Sequence, residues 1–161
     1  TVDAAGEVVS EDRSRLRFSY RSLSLPEGAV ISKVLFLLAQ GEAAEVSRRM
    51  NEYLARRKAN QPLEVPSAGS VFRNPPNDFA GRLIEEAGLK GKRIGGAVIS
   101  PKHANFIINE GGARAEDILA LMRHAREKVL EHSGIELEPE IRVIGWAGVA
   151  GNCRPDGRVD A

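Results

Sequence analysis

The chain has 161 residues, 42% hydrophobic and 28% charged, with 23 Lys and Arg against 22 Asp and Glu for a net charge of +1. That composition belongs to a folded domain rather than a disordered polymer, and the near-zero charge argues against a dedicated nucleic-acid binder, whose affinity needs a clear positive excess. No apolar run approaches bilayer-spanning length; the longest is Val34–Ala39. The single cysteine, Cys153, cannot form an internal disulfide, which makes a reducing, cytoplasmic compartment the natural one. The opening at Thr1, with no signal-peptide pattern, and the polar ending after Gly151 read as a fragment of something longer.

In chain order, the β-branched and apolar residues Val30–Leu38 predict a strand. From Glu42 to about Lys58, Val46, Met50, Tyr53 and Leu54 fall at helical spacing, and Asn60-Gln61-Pro62 ends that helix. Pro66, Gly69, Pro75 and Pro76 predict an irregular stretch. A short helix follows, capped by Asn77 or Asp78, with Phe79, Leu83, Ile84 and Ala87 on one face and Gly88 as its stop. Two strands come next, Ile94–Ser100, loosened by Gly95-Gly96, and Asn105–Asn109. Ile118, Leu119, Met122, Ala125, Val129 and Leu130 then trace a helix over Glu116–His132, closed by Gly134. The last element, Ile135–Ile144, alternates apolar and charged residues like a strand with one packed face. The pattern is that of an α+β domain over about residues 60–146, preceded by part of a different unit, 1–59, and followed by a polar tail, 147–161.

Three places could hold chemistry. In Pro66–Pro75 (PSAGSVFRNP), Gly69 permits a tight turn that presents the Ser70 hydroxyl, and Phe72, Arg73 and Asn74 offer an apolar wall, a cation and an amide suited to a phosphate or carboxylate. The plainer reading is a Pro/Gly loop with a capping Ser. Glu140, beside Ile141 and Val143, is a candidate for a partly buried carboxylate; taken alone it reads better as a solvated one. Arg21, after Tyr20, could stack on the ring and still grip a carboxylate, although taken alone a plain surface Arg explains it better. His103, His124 and His132 have no metal-ligand spacing, and Gly95-Gly96 falls far short of a dinucleotide fingerprint.

Taken in order, these segments resemble one family. Phe18-Ser19-Tyr20-Arg21-Ser22, Ser67-Ala68-Gly69-Ser70-Val71-Phe72-Arg73-Asn74-Pro75, Ala80-Gly81-Arg82-Leu83-Ile84-Glu85, His103-Ala104-Asn105-Phe106-Ile107 and Leu137-Glu138-Pro139-Glu140-Ile141 are similar to the bacterial UDP-N-acetylenolpyruvoylglucosamine reductases, over about residues 18–145. The resemblance implies a cytosolic flavoprotein of peptidoglycan synthesis, in which NADPH reduces FAD and the flavin reduces the enolpyruvyl ether of UDP-N-acetylglucosamine to UDP-N-acetylmuramate. It implies that 60–146 is the carboxyl-terminal UDP-sugar domain and 1–59 a remnant of the FAD-binding part. On this resemblance Ser70 is the proton donor, Glu140 assists at the same carbon, and Arg21 stabilises charge at the carboxylate. Tyr20, Arg73 and Asn74 contact substrate, with Arg73 standing where many members have Lys. The FAD site is incomplete in the chain, which alone is expected to be inactive unless the missing amino-terminal lobes join it; an isolated UDP-sugar-binding module without catalysis is the alternative.

Overall fold

A computed structural model describes residues 1–143, so the tail 147–161 and the end of the expected last strand lie outside it. The chain divides into two compact units, Thr1–Glu45 and a second from Val46 onward. Helices and antiparallel strands together give the α+β class.

In the first unit Val2 makes isolated antiparallel bridges to Val8 and Val30, exchanging N–H···O bonds of 2.7 and 2.8 Å with Val30. A 3-10 turn, Arg13–Arg15, is capped by Asp12. Strands β1 (Arg17–Ser19) and β2 (Ser22–Ser24) then form a hairpin around Tyr20-Arg21. The strand expected over Val30–Leu38 does not form. Residues 31–42 have neither helix nor strand, and Val34–Leu38 are exposed. β-branched, apolar composition favours a strand only where a neighbouring strand takes up its N–H and C=O groups, and neither β1 nor β2 pairs with 31–38.

Helix α1 (Ala43–Asn60) lies where its spacing predicts, yet Val46, Met50, Tyr53 and Leu54 are each more than half exposed. Its last turn is held by Lys102, whose Nζ donates to the Lys58 carbonyl at 2.7 Å; a cation there satisfies an orphan carbonyl at the negative end of the helix dipole.

The second unit is built on strands β3 (Ser67–Ser70), β4 (Arg93–Ile94), β5 (Ala97–Ile99) and β6 (Phe106–Asn109). They pair antiparallel in the order β3-β6-β5-β4. Helices α2 (Ala80–Glu86) and α3 (Ala115–Ser133) pack on each other, and α3 packs on β4 and β5. The core joins Val71, Phe72, Leu83, Ile84, Ile99, Ile107, Leu121, Val129 and Leu137, each at most 5% exposed. Gly134, at φ 71°, closes α3 in the left-handed conformation that glycine adopts at no steric cost.

Four expectations change in detail. The stretch Pro66–Pro75 is not irregular throughout, because Ser67–Ser70 is an edge strand. Ile94–Ser100 is not one strand: Ile94 pairs with Ala97, so Gly95-Gly96 is the two-residue turn of a hairpin, as a Gly-Gly pair favours. Phe79, expected on the packed face of α2, is exposed. Over residues 135–143 no full strand forms; Pro139 makes a single antiparallel bridge to Phe72, flanked by bonds from the Arg73 and Glu140 N–H groups, because residues 73–75 leave the strand conformation and offer no further edge.

Candidate functional site

The candidate residues fall in both units. Tyr20 and Arg21 form the tip of the β1–β2 hairpin in the first. Arg21 takes a positive φ of 52°, and its guanidinium carbon lies 5.7 Å from the Tyr20 ring centroid, within the range of a cation–π contact. Ser70, Arg73, Asn74 and Glu140 belong to the second unit.

Ser70 ends β3 at an irregularity. Ser67 pairs with Ile108 and Ser70 with Phe106, so β3 carries one extra residue and bulges, with Gly69 at φ 82°. A bulge with a left-handed glycine re-aims the side chains around it. The Gly69 signal therefore denotes a bulge at a sheet edge rather than a free turn. Beyond the bulge, Val71 and Phe72 turn into the core, each 2% exposed, while Ser70 stays half-buried.

Glu140 reaches this segment from the far end of the chain. Its N–H donates to the Val71 carbonyl at 2.7 Å, and the Arg73 N–H donates to the Glu138 carbonyl at 2.8 Å. Residues 138–140 thus line the outer edge of 71–73, and a separation of 70 positions closes to backbone contact one residue from Ser70. Glu140 is half-buried, with carboxylate oxygen Oε2 shut off from solvent. Ile141 packs against the core; Val143 does not, at 39% exposed.

Arg73 points outward and meets Glu138 at 3.7 Å, an exposed pair worth at most about 1 kcal/mol. Asn74 has a structural duty: its Oδ1 accepts from the Ala80 N–H at 3.1 Å. It thereby takes the helix-capping part expected of Asn77 or Asp78, although Asp78 Oδ1 does accept from the neighbouring Phe79 N–H at 2.6 Å.

A groove of about 300 Å³ opens beside β3, lined by Ser67, Ala68, Val71, Asn109, Ile118 and Ile141 among others. Its lining is apolar apart from Ser67 and Asn109 and includes no cation, so it does not fit the pyrophosphate of FAD, which calls for positive or N–H-rich surroundings.

Two residues of the 102–105 segment, which precedes a strand and could line a site, have tasks that the sequence alone did not show. Asn105, 4% exposed, bonds Phe72 with both ends of its carboxamide: the Phe72 N–H donates to Oδ1 at 2.9 Å, and Nδ2 donates to the Phe72 carbonyl at 2.8 Å. An Asn directly before an apolar strand is the signal that could have found it. His103 lies edge-on to Phe106, with ring centroids 4.9 Å apart, and its Nδ1 accepts from the Asn105 N–H at 3.2 Å. Burial holds its pKa below the ordinary 6.5; the Lys90 cation adds to this, while a backbone hydrogen bond and Glu85 oppose it. A lowered folded pKa means that the unfolded chain binds the proton more tightly. His103 therefore costs the fold nothing above about pH 6.5 and destabilises it as pH falls from there through the folded value. Urea midpoints measured from pH 7.5 to 5 should fall, and fall less in His103→Phe; equal slopes would refute this.

The family model described as UDP-N-acetylenolpyruvoylglucosamine reductase, C-terminal domain, matches residues 61–144, more than half of the chain. The chain belongs to this reductase family. Among curated members, the UDP-N-acetylenolpyruvoylglucosamine reductase of Anaeromyxobacter dehalogenans (strain 2CP-C) is 51% identical over 145 residues, covering 90% of this chain and 43% of that protein. The one from Caldicellulosiruptor bescii is 53% identical over 136 residues, covering 83% and 43%. The crystal structure of the reductase from Thermus caldophilus aligns with a TM-score of 0.66 at 45% identity, over 79% of this chain and 46% of that one. The chain thus spans less than half the length of these relatives. Among its described residues, no helix is long and apolar enough to cross a membrane.

Proposed function

We propose that this chain carries the nucleotide-sugar face and the proton-transfer residues of a cytoplasmic UDP-N-acetylenolpyruvoylglucosamine reductase. In this reading 60–146 is the substrate domain, 1–59 belongs with the flavin-binding part, and FAD is held by sequence of the relatives that this chain does not span. FAD and NADPH supply the hydride. Its arrival at the methylene carbon of the enolpyruvyl ether leaves negative charge on the α carbon, spread into the adjacent carboxylate as an enolate. Such charge must meet preorganised donors and then a proton. Ser70 gives that proton through its hydroxyl, Glu140 assists at the same carbon, and Arg21 offsets the carboxylate charge. A serine hydroxyl is a weak acid, so it serves only when held in line with a basic enolate carbon. Tyr20, Arg73 and Asn74 contact the substrate.

The observation that supports this reading best is the 2.7 Å bond from the Glu140 N–H to the Val71 carbonyl, which sets the Glu140 backbone beside Ser70. Titration with UDP-N-acetylglucosamine tests it, with amide shifts read at Ser70, Arg73 and Asn74. Saturable binding is expected, weakened in Asn74→Asp, which keeps the acceptor for the Ala80 N–H and so leaves stability near wild type while placing negative charge near a diphosphate. A chain that shows no shift at millimolar ligand would refute the reading.

A further inference from the structure

The end of the β3–β6 pairing at Ser70 and Phe106 leaves a problem that Asn105 resolves. Past the bulge at Gly69 the β3–β6 ladder resumes at Ser70 and Phe106, one residue out of step, and it ends there. Here β6 starts at Phe106, so the peptide groups of Phe72, a residue only 2% exposed, have passed the end of the paired strand. Left buried without partners, they would cost the full desolvation of an N–H and a C=O. The Asn105 carboxamide supplies one acceptor and one donor, the pair a peptide group would present, and bonds both groups of Phe72 at 2.9 and 2.8 Å. The Asn105 carbonyl also accepts from the Val71 N–H at 2.9 Å. Three bonds from one residue therefore hold Val71–Phe72 from the inner side, and Glu138–Glu140 add to the outer side through the Val71 carbonyl and the Arg73 N–H.

We propose that Asn105 is the positioning residue of this site: its side chain acts as an added rung that fixes the register of Val71–Arg73, and through it the placement of Ser70 at one end and Glu140 along the outer edge. Its bearing on catalysis rests on the function proposed above; its effect on register does not. No other uncharged side chain of this size offers an acceptor and two donors on one planar group, so Ala deletes the rung. Asp keeps the acceptor for the Phe72 N–H but turns a second acceptor toward the Phe72 carbonyl.

Amide hydrogen exchange on the 161-residue chain tests the proposal. In Asn105→Ala and Asn105→Asp the amides of Arg73 and Glu140 are expected to exchange at least about tenfold faster, as local opening of a rung allows, while those of Ala97–Ile99 keep their wild-type rates. Asn109→Ala is the control on the same strand. It removes the acceptor for the Gly111 and Ala113 N–H groups and should disturb that turn without accelerating Arg73 or Glu140. Wild-type rates at Arg73 and Glu140 in a folded Asn105 variant, or the same acceleration in Asn109→Ala, would overturn the proposal. If neither Asn105 variant folds, the Nδ2 protons of Asn105 in the wild-type chain decide: slow exchange is expected, and exchange as fast as a surface Asn overturns it. UDP-N-acetylglucosamine binding is read alongside. Its absence from the wild-type chain would sink the proposed function while leaving the exchange result to judge Asn105; a wild-type chain that binds, with Asn105→Asp binding about tenfold more weakly, joins the two.

Discussion

Gly96→Ala is expected to destabilise the second unit by about 3 kcal/mol or more, enough to unfold it if its total stability is at the low end for a small domain. A Cβ at this position would sit 2.4 Å from the Ala113 nitrogen and 2.4 Å from the Gly111 carbonyl oxygen. Both are backbone atoms of the turn that leads from β6 into α3, so no side-chain rotation relieves the clash. The same turn is tied to Gly96 by a bond from the Glu110 N–H to the Gly96 carbonyl, 3.1 Å, and Asp117 Oδ2 accepts from both the Arg114 N–H at 3.0 Å and the Gly96 N–H at 3.4 Å. Moving the hairpin aside therefore breaks its hold on the start of α3. Gly88→Ala is the comparison: its φ of 74° strains an alanine, but nothing lies within 4 Å of the added carbon, so about 1 kcal/mol is expected. Urea unfolding of both variants checks this, and a Gly96→Ala loss no larger than that of Gly88→Ala would refute the packing argument.

On the proposed function, Ser70→Ala should lower kcat by about 10²–10⁴-fold with KM little changed, the size of effect expected when a general acid is removed. The assay is run in an assembly in which the part of the relatives that this chain does not span is supplied with FAD and NADPH. Stability should hardly move, because Ser70 is half-buried and its backbone pairing with Phe106 does not involve the hydroxyl. A fall in KM performance alone, with kcat preserved, would assign Ser70 to binding and remove the proton-donor role.

Much of the second unit was determined by local sequence. α3 follows from its apolar spacing and the closing Gly134, β6 from an unbroken apolar run, and the extent of α1 from its periodicity within two residues at its far end. These are short-range effects, in which the residues that decide the element lie inside it. The segments Ser67–Pro75 and Leu137–Ile141 were also legible as special, through a family resemblance rather than through their own periodicity. Tertiary structure decided the rest. Val30–Leu38 is strand-like in composition, yet a strand requires a partner edge that the first unit does not provide. The alternation of Ile135–Ile144 suggested a full strand, and within the described residues the short partner edge at 71–73 reduced it to one bridge. Gly69 signalled a turn, whereas the register against β6 makes it a bulge. Asn105 was marked only as part of a resembling segment, and its task was hidden, because a buried carboxamide acquires its meaning only when Phe72, 33 positions away, arrives beside it. Hydrogen bonds across such distances in sequence depend on which backbone groups the fold leaves without partners, and that is settled only when the sheet has assembled.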